Sequence, residues 1–584
     1  MNSIDKLKSA NGISGFAPLV GFTPKGLAYL LYKTDISTRY RSFEIPKKSG
    51  GVRKISAPNP KLALVQRNLA NLLVNCADDF SDRSSGFLRA AHGFIRARSI
   101  MSNAEIHKRR RFVFNVDIED FFGSINFGRV RGFFMKDQSF ELPADIATII
   151  AQIACHENQL PQGSPSSPVI SNFIGNLVDA RLTALSRSGR CSYTRYADDL
   201  TFSTNEQHFP KEIAENTYGA DWRIGKKLQS EVQRAGFRLN HRKTRMSLRQ
   251  SQQSVTGLVV NEKINIDQKY YRQVRAMCDS AFKRGWYHDK SPKEIVTVTT
   301  GNDLNKIEGR LSFIYGVKTR SDRSNRTNKL ATDKGEMNVP LAPINLYKKF
   351  IFFRRFIVPG APLIVTEGSS DITYLRCAIK KQAASFPSLA SFIDGEPKLD
   401  IDFLPTSQRM EDMLKLGNGT GGQAKLIGMY SKMVRKFKHR PLAQPVIILC
   451  DNDDGANAVL KAASKAKGVT VSTKTKDPYY YLGENLYLVK VPEGAAPTSS
   501  IEDLFPDRWL NVKLDGKSFD RDKEHADDTA YGKTVFAEGV VRPNRNDIDF
   551  ANFDALLARI SDCIQDYASV RARLLPTVVA NSTS

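Results

Sequence analysis

The sequence predicts an α+β first half followed by an α/β second half, because in both halves acidic residues close apolar, strand-like runs. Tyr196-Ala197-Asp198-Asp199 lies between Cys191-Ser-Tyr-Thr-Arg195 and Leu200-Thr-Phe-Ser-Thr204. The near alternation of β-branched and aromatic residues in these flanks favours a hairpin over a helix. Upstream, Arg111-Phe-Val-Phe-Asn-Val-Asp117 is an apolar run long enough for a buried strand, and it ends on an acid. Further on, Pro362-Leu-Ile-Val-Thr and Pro445-Val-Ile-Ile-Leu-Cys end in Glu367-Gly368 and in Asp451-Asn452-Asp453-Asp454. Strand ends are where α/β folds expose their chemistry. At 584 residues the chain is too long for one core, so two or more domains are expected.

An Asp-Asp pair by itself is commonly a turn held by its own backbone hydrogen bonds. Asp117 adds a third carboxylate from a neighbouring strand. Such a set suits two divalent ions about 3.5 to 4 Å apart, the arrangement that catalyses phosphoryl transfer. Mg2+ prefers these hard oxygen ligands. Asp117, Asp198 and Asp199 are therefore the candidate ligands, with Glu119 and Asp120 as surface or supporting acids. Between them, Leu160-Pro-Gln-Gly-Ser-Pro-Ser-Ser-Pro168 is a loop opening onto the apolar-periodic run Val169 to Leu185.

The order Val-Asp117, then Pro-Gln162-Gly, then Tyr-Ala-Asp198-Asp199 resembles the palm of reverse transcriptases, over roughly the first 320 residues. That resemblance implies an α+β right-hand polymerase (fingers, palm, thumb) that uses dNTPs and a two-metal Mg2+ site to make DNA on an RNA template. It implies Phe122 as the steric gate excluding a 2′-OH and Gln162 as a contact to the incoming nucleotide. Arg53, in the glycine turn Lys47-Lys48-Ser-Gly-Gly51-Val-Arg53-Lys54, resembles the grip on the triphosphate. Lys243, in Asn240-His-Arg-Lys243-Thr244, resembles the lysine that protonates pyrophosphate. Without the resemblance these two segments read as a solvated basic turn and an ordinary basic loop.

Asn103-Ala-Glu-Ile-His107 matches the Asn-Ala-x-x-His signature of retron reverse transcriptases, and Val255-Thr256-Gly257, also similar to the primer grip, matches their other hallmark. Asn103, His107, Val255, Thr256 and Gly257 are accordingly expected to bind RNA, although His107 beside Lys108-Arg-Arg-Arg111 also reads as a surface histidine. Gly309-Arg-Leu-Ser-Phe313 falls where a retron thumb is expected. The retron resemblance implies a partner RNA, the enzyme's own structured noncoding RNA (msr-msd). Priming from a guanosine 2′-OH in it yields branched, RNA-linked multicopy single-stranded DNA (msDNA). The family implies a part in antiphage defence together with an effector.

Charge supports a nucleic-acid partner. The whole net charge of +25 lies in residues 1 to 360, and residues 361 to 584 net to zero. Counterion release predicts tight, salt-sensitive binding of a phosphate backbone by the first part. From Lys269 to Arg355, Lys and Arg alternate with Tyr, Phe and Trp286, a mixture suited to stacking on unpaired bases. Seven cysteines without Cys-x-x-Cys pairing, and no leading signal peptide, predict free thiols in a reducing cytoplasm. No apolar run approaches membrane-spanning length. The expected domains are fingers (1–110), palm (111–262), thumb (263–320), linker (321–360), a nuclease-like domain (361–545) and a C-terminal helical segment (546–584). The boundary is expected in the polar stretch Arg320 to Lys329, leading through Pro340 and Pro343.

In the second half, Glu-Gly after one buried strand and Asp-x-Asp after the next resemble an α/β Toprim (Rossmann-like) domain, as in topoisomerases, primases and the overcoming-lysogenization-defect nucleases. The resemblance implies Glu367 as a metal-linked acid/base and Asp451 and Asp453 as ligands of a second Mg2+ site, with Asp371 and Asp454 as second choices. Nothing marks a topoisomerase tyrosine; Tyr479-Tyr-Tyr481 reads as a packing or stacking run. A palm already present argues against a primase. Ser500-Ile-Glu502-Asp-Leu504 is similar to an extra acidic element of the nuclease family, which makes Glu502 a further ligand. Lys533 reads as a stabiliser of a pentacovalent phosphate or as a surface salt bridge. The expectation is a retron reverse transcriptase fused to a Toprim nuclease effector, held in check by its RNA and DNA and acting on host or phage nucleic acid. A structural module, with a homo-oligomer left open, and a device that trims its own transcript are the other readings.

Overall fold

The computed structural model describes residues 2–574 apart from 48–49, 84–85, 219–220, 290, 292, 322–341, 415, 417–418, 495–497 and 522–528. Lys48, most of the expected boundary stretch and Pro340 lie outside the described residues. The chain divides into two compact units, Met1–Asp267 and Gln268–Ser584.

The first unit opens with helical turns and a hairpin of β1 (Tyr40–Pro46) and β2 (Val52–Pro58), paired antiparallel. Gly50 and Gly51 in its tip have φ of +88° and +78°, a conformation glycine adopts without a Cβ penalty. Helix α1 (Pro60–Arg83) follows, then β3 (Phe112–Ile118), α2 (Ser167–Ser188), β4 (Ser192–Tyr196), β5 (Asp199–Thr204) and β6 (Leu239–Leu248). The run from Val169 to Leu185 forms α2 as its periodicity predicts, and Pro168 in the first turn pre-sets the helical φ. Val169, Ile170, Phe173, Ile174, Val178 and Leu182 are buried along it.

Strands β4, β5, β3 and β6 form, in that order, a four-stranded antiparallel sheet. Tyr196 pairs with Asp199, so Ala197 and Asp198 are the two-residue turn of the expected hairpin. Asp117 on β3 lies opposite Asp199 on one side and Asn240 on the other, with a register shift between Asn115 and Asp117. Such bulges re-aim a side chain beside a site. Phe114, Phe202, Phe173 and Phe134 belong to one core that underlies the sheet and the helices.

The second unit begins with the segment read as thumb, α3 (Gln268–Arg284) and α4 (Asn305–Ser321). Within the span read as linker, α5 (Ala342–Phe352) is helical, and Tyr347, Phe350, Ile351, Phe353 and Phe356 are buried. Phe282 on α3 stacks edge-on against Phe353 and Phe437 at 5.0 and 5.2 Å, and its carbonyl accepts from the Lys438 and His439 N–H groups.

Next come β7 (Leu363–Val365), α6 (Ser369–Lys381), β8 (Asp402–Phe403), α7 (Thr420–Val434), β9 (Val446–Cys450), α8 (Asn457–Lys467), β10 (Tyr480–Gly483) and β11 (Leu486–Lys490). The sheet order is β8-β7-β9-β11-β10, parallel except for β10 at the edge. Every residue of β7, β9 and β11 is buried, as a parallel sheet covered on both faces requires. The chain leaves β7 for β8 on one side and returns as β9 on the other. That reversal opens a crevice at the carboxyl ends of β7 and β9, the customary ligand position in such sheets. Helix α9 (Asp554–Leu574) packs Leu556, Leu557, Ile560, Cys563 and Tyr567 into the core of this sheet.

Two acid clusters as candidate metal centres

In the first unit the sheet register assembles the cluster. Asp117 is buried and accepts from Lys243 Nζ at 2.8 Å. This bond, with the nearby charges of Asp117, Asp198 and Asp199, raises the Lys243 pKa. Burial and then the charge of Asp117 raise the Asp198 pKa, with Lys243 and Arg53 opposing. Asp199 reaches solvent at the start of β5, yet burial of its carboxyl, then Asp198 and Asp117, push its pKa up to about 6. Asp198 and Asp199 thus feel the charge of Asp117, and Lys243 and Arg53 oppose it at Asp198.

Of the nucleotide-contact candidates, Lys243 and Arg53 lie within electrostatic reach of this cluster. Arg53 is exposed on β2. The loop carrying Gln162 is tied to β2 by Ser56 N–H donating to the Gln162 carbonyl at 2.8 Å. Gly163 has φ +122°, and a Cβ there would come within 2.9 Å of the Ser56 carbonyl, so the approach of loop to strand requires glycine. Phe122 is half-buried and packs edge-on against Phe121 at 5.6 Å. Asp120 has φ +41° just after β3.

The two signature motifs turn out to be neighbours. Asn103 lies on the short helix Ile100–Ile106, and Val255-Thr256-Gly257-Leu258 is a tight hairpin. Thr256 and Gly257 have φ of +47° and +81°, the conformation of a two-residue primed turn. Thr256 Oγ1 donates to the Ile100 carbonyl at 3.3 Å, joining the motifs. Gly257 and part of Thr256 are open to solvent, but Val255 is buried. The RNA-binding expectation for His107 and Val255 is corrected. His107 is fully buried, with Nδ1 and Nε2 each 2.7 Å from the hydroxyls of Ser203 and Thr194. Burial, then Arg110 and His92, pull its pKa down to about 3, so it is a neutral core group. Asn103 is likewise fully buried and offers RNA no surface; its amide has no hydrogen-bond partner among the described residues.

In the second unit, Glu367 follows β7, and Asp451 and Asp453 follow β9 across the crevice. Asp451 Oδ1 accepts from Ile501 N–H at 3.0 Å, which draws the Glu502 segment to the strand end. Asn452 and Ser499 exchange backbone hydrogen bonds beside it. Asp453 caps the next turn through Ala456 N–H, and Asp371 caps α6 through Gly368 N–H. Asp454 is exposed. Glu502 is wholly buried, with Lys533 Nζ 3.2 and 3.3 Å from its two oxygens. Lys533 is therefore a half-buried cation whose salt bridge is to an interior acid. Burial lowers its pKa, but Glu502, Asp451 and Asp371 outweigh that and hold it charged.

Burial raises the Glu367 pKa, with Lys533 opposing and Asp453 and Glu502 adding. Asp371 is pushed up to about 7 by burial, then by Glu502 and Glu367 against Gly368 N–H and Lys533. Asp451 is pushed up to about 8, by burial and then by Asp371 and Glu502. Sequence reasoning missed Lys490, whose buried ammonium donates to Asn452 Oδ1 and to the carbonyls of Ser472, Thr473 and Thr475. Its single charge at the end of an apolar strand was the available signal.

Among the described residues, no group of three or more acid, histidine or cysteine side chains is placed as it stands to hold a metal ion. The donor chemistry nevertheless suits a hard divalent cation: in each unit acidic side chains lie within electrostatic reach of one another, with a lysine ammonium beside them. All seven cysteines are free thiols. No helix among the described residues is long and apolar enough to cross a membrane.

Residues 45–260 match the family model for reverse transcriptase (RNA-dependent DNA polymerase). The Retron Ec86 reverse transcriptase of Escherichia coli is 32% identical over 55% of this chain and 87% of its own length. The Retron Mx162 reverse transcriptase of Myxococcus xanthus is 31% identical over 54% of this chain and 65% of its own. Among solved structures, telomerase from Candida albicans covers 56% of this chain and 65% of its own at 9% identity and a TM-score of 0.31, a likeness too loose to carry an argument.

Replacing His107 by leucine leaves the Ser203 and Thr194 hydroxyls unpaired in the core, at about 1–3 kcal/mol each. The variant is expected to melt earlier while its folded form binds RNA as the parent does in a filter assay; a tenfold loss of affinity without destabilisation contradicts the correction. The raised acids give a pH dependence of definite sign. Asp371 and Asp451 hold protons more tightly folded than unfolded, so the metal-free second unit loses stability as pH rises from about 4 through about 8. Asp451→Asn should raise its melting midpoint by about 2–4 °C at pH 8 in chelator and leave it unchanged at pH 4. A lower midpoint at pH 8 contradicts this.

Proposed function

The chain belongs to the retron reverse transcriptase family, and on that premise we propose that it copies RNA into DNA at Asp117, Asp198 and Asp199. The observation that carries this is the strand register that sets Asp117 opposite Asp199, with Asp198 in the turn between β4 and β5. A pair of Mg2+ ions held by these carboxylates would activate the attacking hydroxyl and neutralise the leaving pyrophosphate. Lys243, kept charged by its acid neighbours, holds a proton within reach of that leaving group. Arg53, whose charge already reaches Asp198, grips the triphosphate of the incoming dNTP. Gln162 stands on a loop fixed to the same hairpin. Phe122, braced by Phe121, excludes the 2′-OH.

The template in this reading is a structured noncoding RNA of the enzyme's own, and the product is branched RNA-linked single-stranded DNA. The exposed Thr256-Gly257 turn, together with the basic first part of the chain, is the surface on offer to that RNA.

We further propose that the second unit is a Toprim nuclease effector in antiphage defence, held in check by the RNA and DNA and acting on host or phage nucleic acid. Support comes from the crevice between β7 and β9, where Glu367, Asp451, Asp453 and Glu502 meet Lys533. Glu367 would act as acid/base there, with its raised pKa suited to proton transfer. Lys533 would stabilise charge on the phosphate being cut.

Paired substitutions separate the two activities. Asp198→Ala with Asp199→Ala should abolish DNA synthesis on a primed RNA template, and Asp451→Ala with Asp453→Ala should preserve it while abolishing nucleic-acid cleavage and phage protection. If the second pair leaves cleavage and protection intact, the nuclease reading fails and a scaffold role takes its place; cleavage confined to the chain's own transcript would make it a processing device.

A further inference from the structure

We propose that Arg195 is a positioning residue that sets the Asp198-Asp199 turn from beneath, an inference that rests on the polymerase reading of that turn. Arg195 lies two residues before Ala197, the first residue of the hairpin turn, and is wholly buried. Two arms of its guanidinium are fixed to Asp179 on α2: Nε lies 2.9 Å from Oδ1 and Nη2 2.8 Å from Oδ2. The remaining arm, Nη1, donates to Asn172 Oδ1 at 3.0 Å and to the Ala197 carbonyl inside the turn at 3.2 Å. The Tyr193 hydroxyl donates to Asp179 Oδ1 at 2.8 Å and completes the acid's coordination.

This is more than a satisfied buried ion pair, for three reasons. Ala197 has φ +55°. A non-glycine residue in the left-handed region costs roughly 1–3 kcal/mol and persists only where its surroundings over-determine it. The Nη1 contact is one such restraint, since it fixes the peptide between Ala197 and Asp198. A second restraint comes through Asn172, whose Nδ2 donates to the Gly93 carbonyl at 2.6 Å. A Cβ on Gly93 would stand 2.9 Å from Ala197 N, so the loop at Gly93 presses against the hairpin turn.

The third reason is the space reserved for the guanidinium. A Cβ on Gly175 would fall 2.8 Å from Arg195 Nη2 and its central carbon, so α2 carries glycine where the arginine lies. Helix, arginine and turn form one rigid chain of contacts: Asp179 to Arg195 to Ala197, and from there to Asp198 and Asp199. Only a planar fork reaches the acid with two arms and the carbonyl with a third. A lysine would keep the charge opposite Asp179 and lose the hold on Ala197.

The test uses the full chain with its metals removed. Mn2+ binding is followed by the loss of the free-ion EPR signal, and the sites that vanish in Asp198→Ala with Asp199→Ala define those of the turn. Arg195→Lys should weaken these sites about tenfold, the scale on which removing a ligand's supporting partner acts. DNA synthesis should need correspondingly more Mg2+, with the KM for primed template unchanged. Asn172→Ala, which leaves the Arg195–Asp179 pair whole, should shift both in the same direction, and it decides alone if Arg195→Lys does not fold. Mn2+ affinity within twofold of the parent in the folded variant overturns the inference. A parent chain that binds Mn2+ at these sites but synthesises no DNA overturns the polymerase reading instead.

Discussion

Like-charged carboxylates crowded at strand ends are the constraint around which both units are organised. Desolvation, and then repulsion, push Asp199 up to about 6 and Asp451 up to about 8, so each cluster is held together against its own electrostatics. What holds it differs in detail but not in principle. Hydrogen-bonded strand register forces Asp117 against Asp199 in the first unit, and the crevice between two parallel strands gathers the acids of the second. One lysine in each, Lys243 or Lys533, offsets part of the negative charge. A divalent cation would offset more, which is the physical reason to read both clusters as metal sites.

Elements built from local pattern were legible in the sequence. The alternation around Tyr196 to Asp199 gave a hairpin, Pro168 and the apolar period gave α2, and the fully apolar runs gave the buried parallel strands β7 and β9. What escaped depends on long-range packing. His107 reads as a surface histidine beside four basic residues, yet it is buried by Ser203 and Thr194, far away in sequence. The span from Ala342 to Ile357 looks like linker because it follows a polar stretch, but its aromatics pack into the second unit.

The candidate sites followed the same division. The acids themselves stand out by type and position. Their supports do not: Arg195 reads as one more strand residue, and Lys490 as the end of an apolar run, until the fold brings Asp179, Ala197 and Asn452 to them. Signature motifs also changed meaning. Asn-Ala-x-x-His and Val-Thr-Gly form one packed element, in which the turn at Thr256-Gly257 reaches solvent and the helix is its buttress.

Calorimetric titration of Mg2+ into the metal-free full chain tests most directly whether these are two independent cation sites. Two classes of binding are expected in the parent, one removed by Asp198→Ala with Asp199→Ala and the other by Asp451→Ala with Asp453→Ala, each pair sparing the other class. Binding isotherms that match the parent in both doubly substituted chains would contradict it.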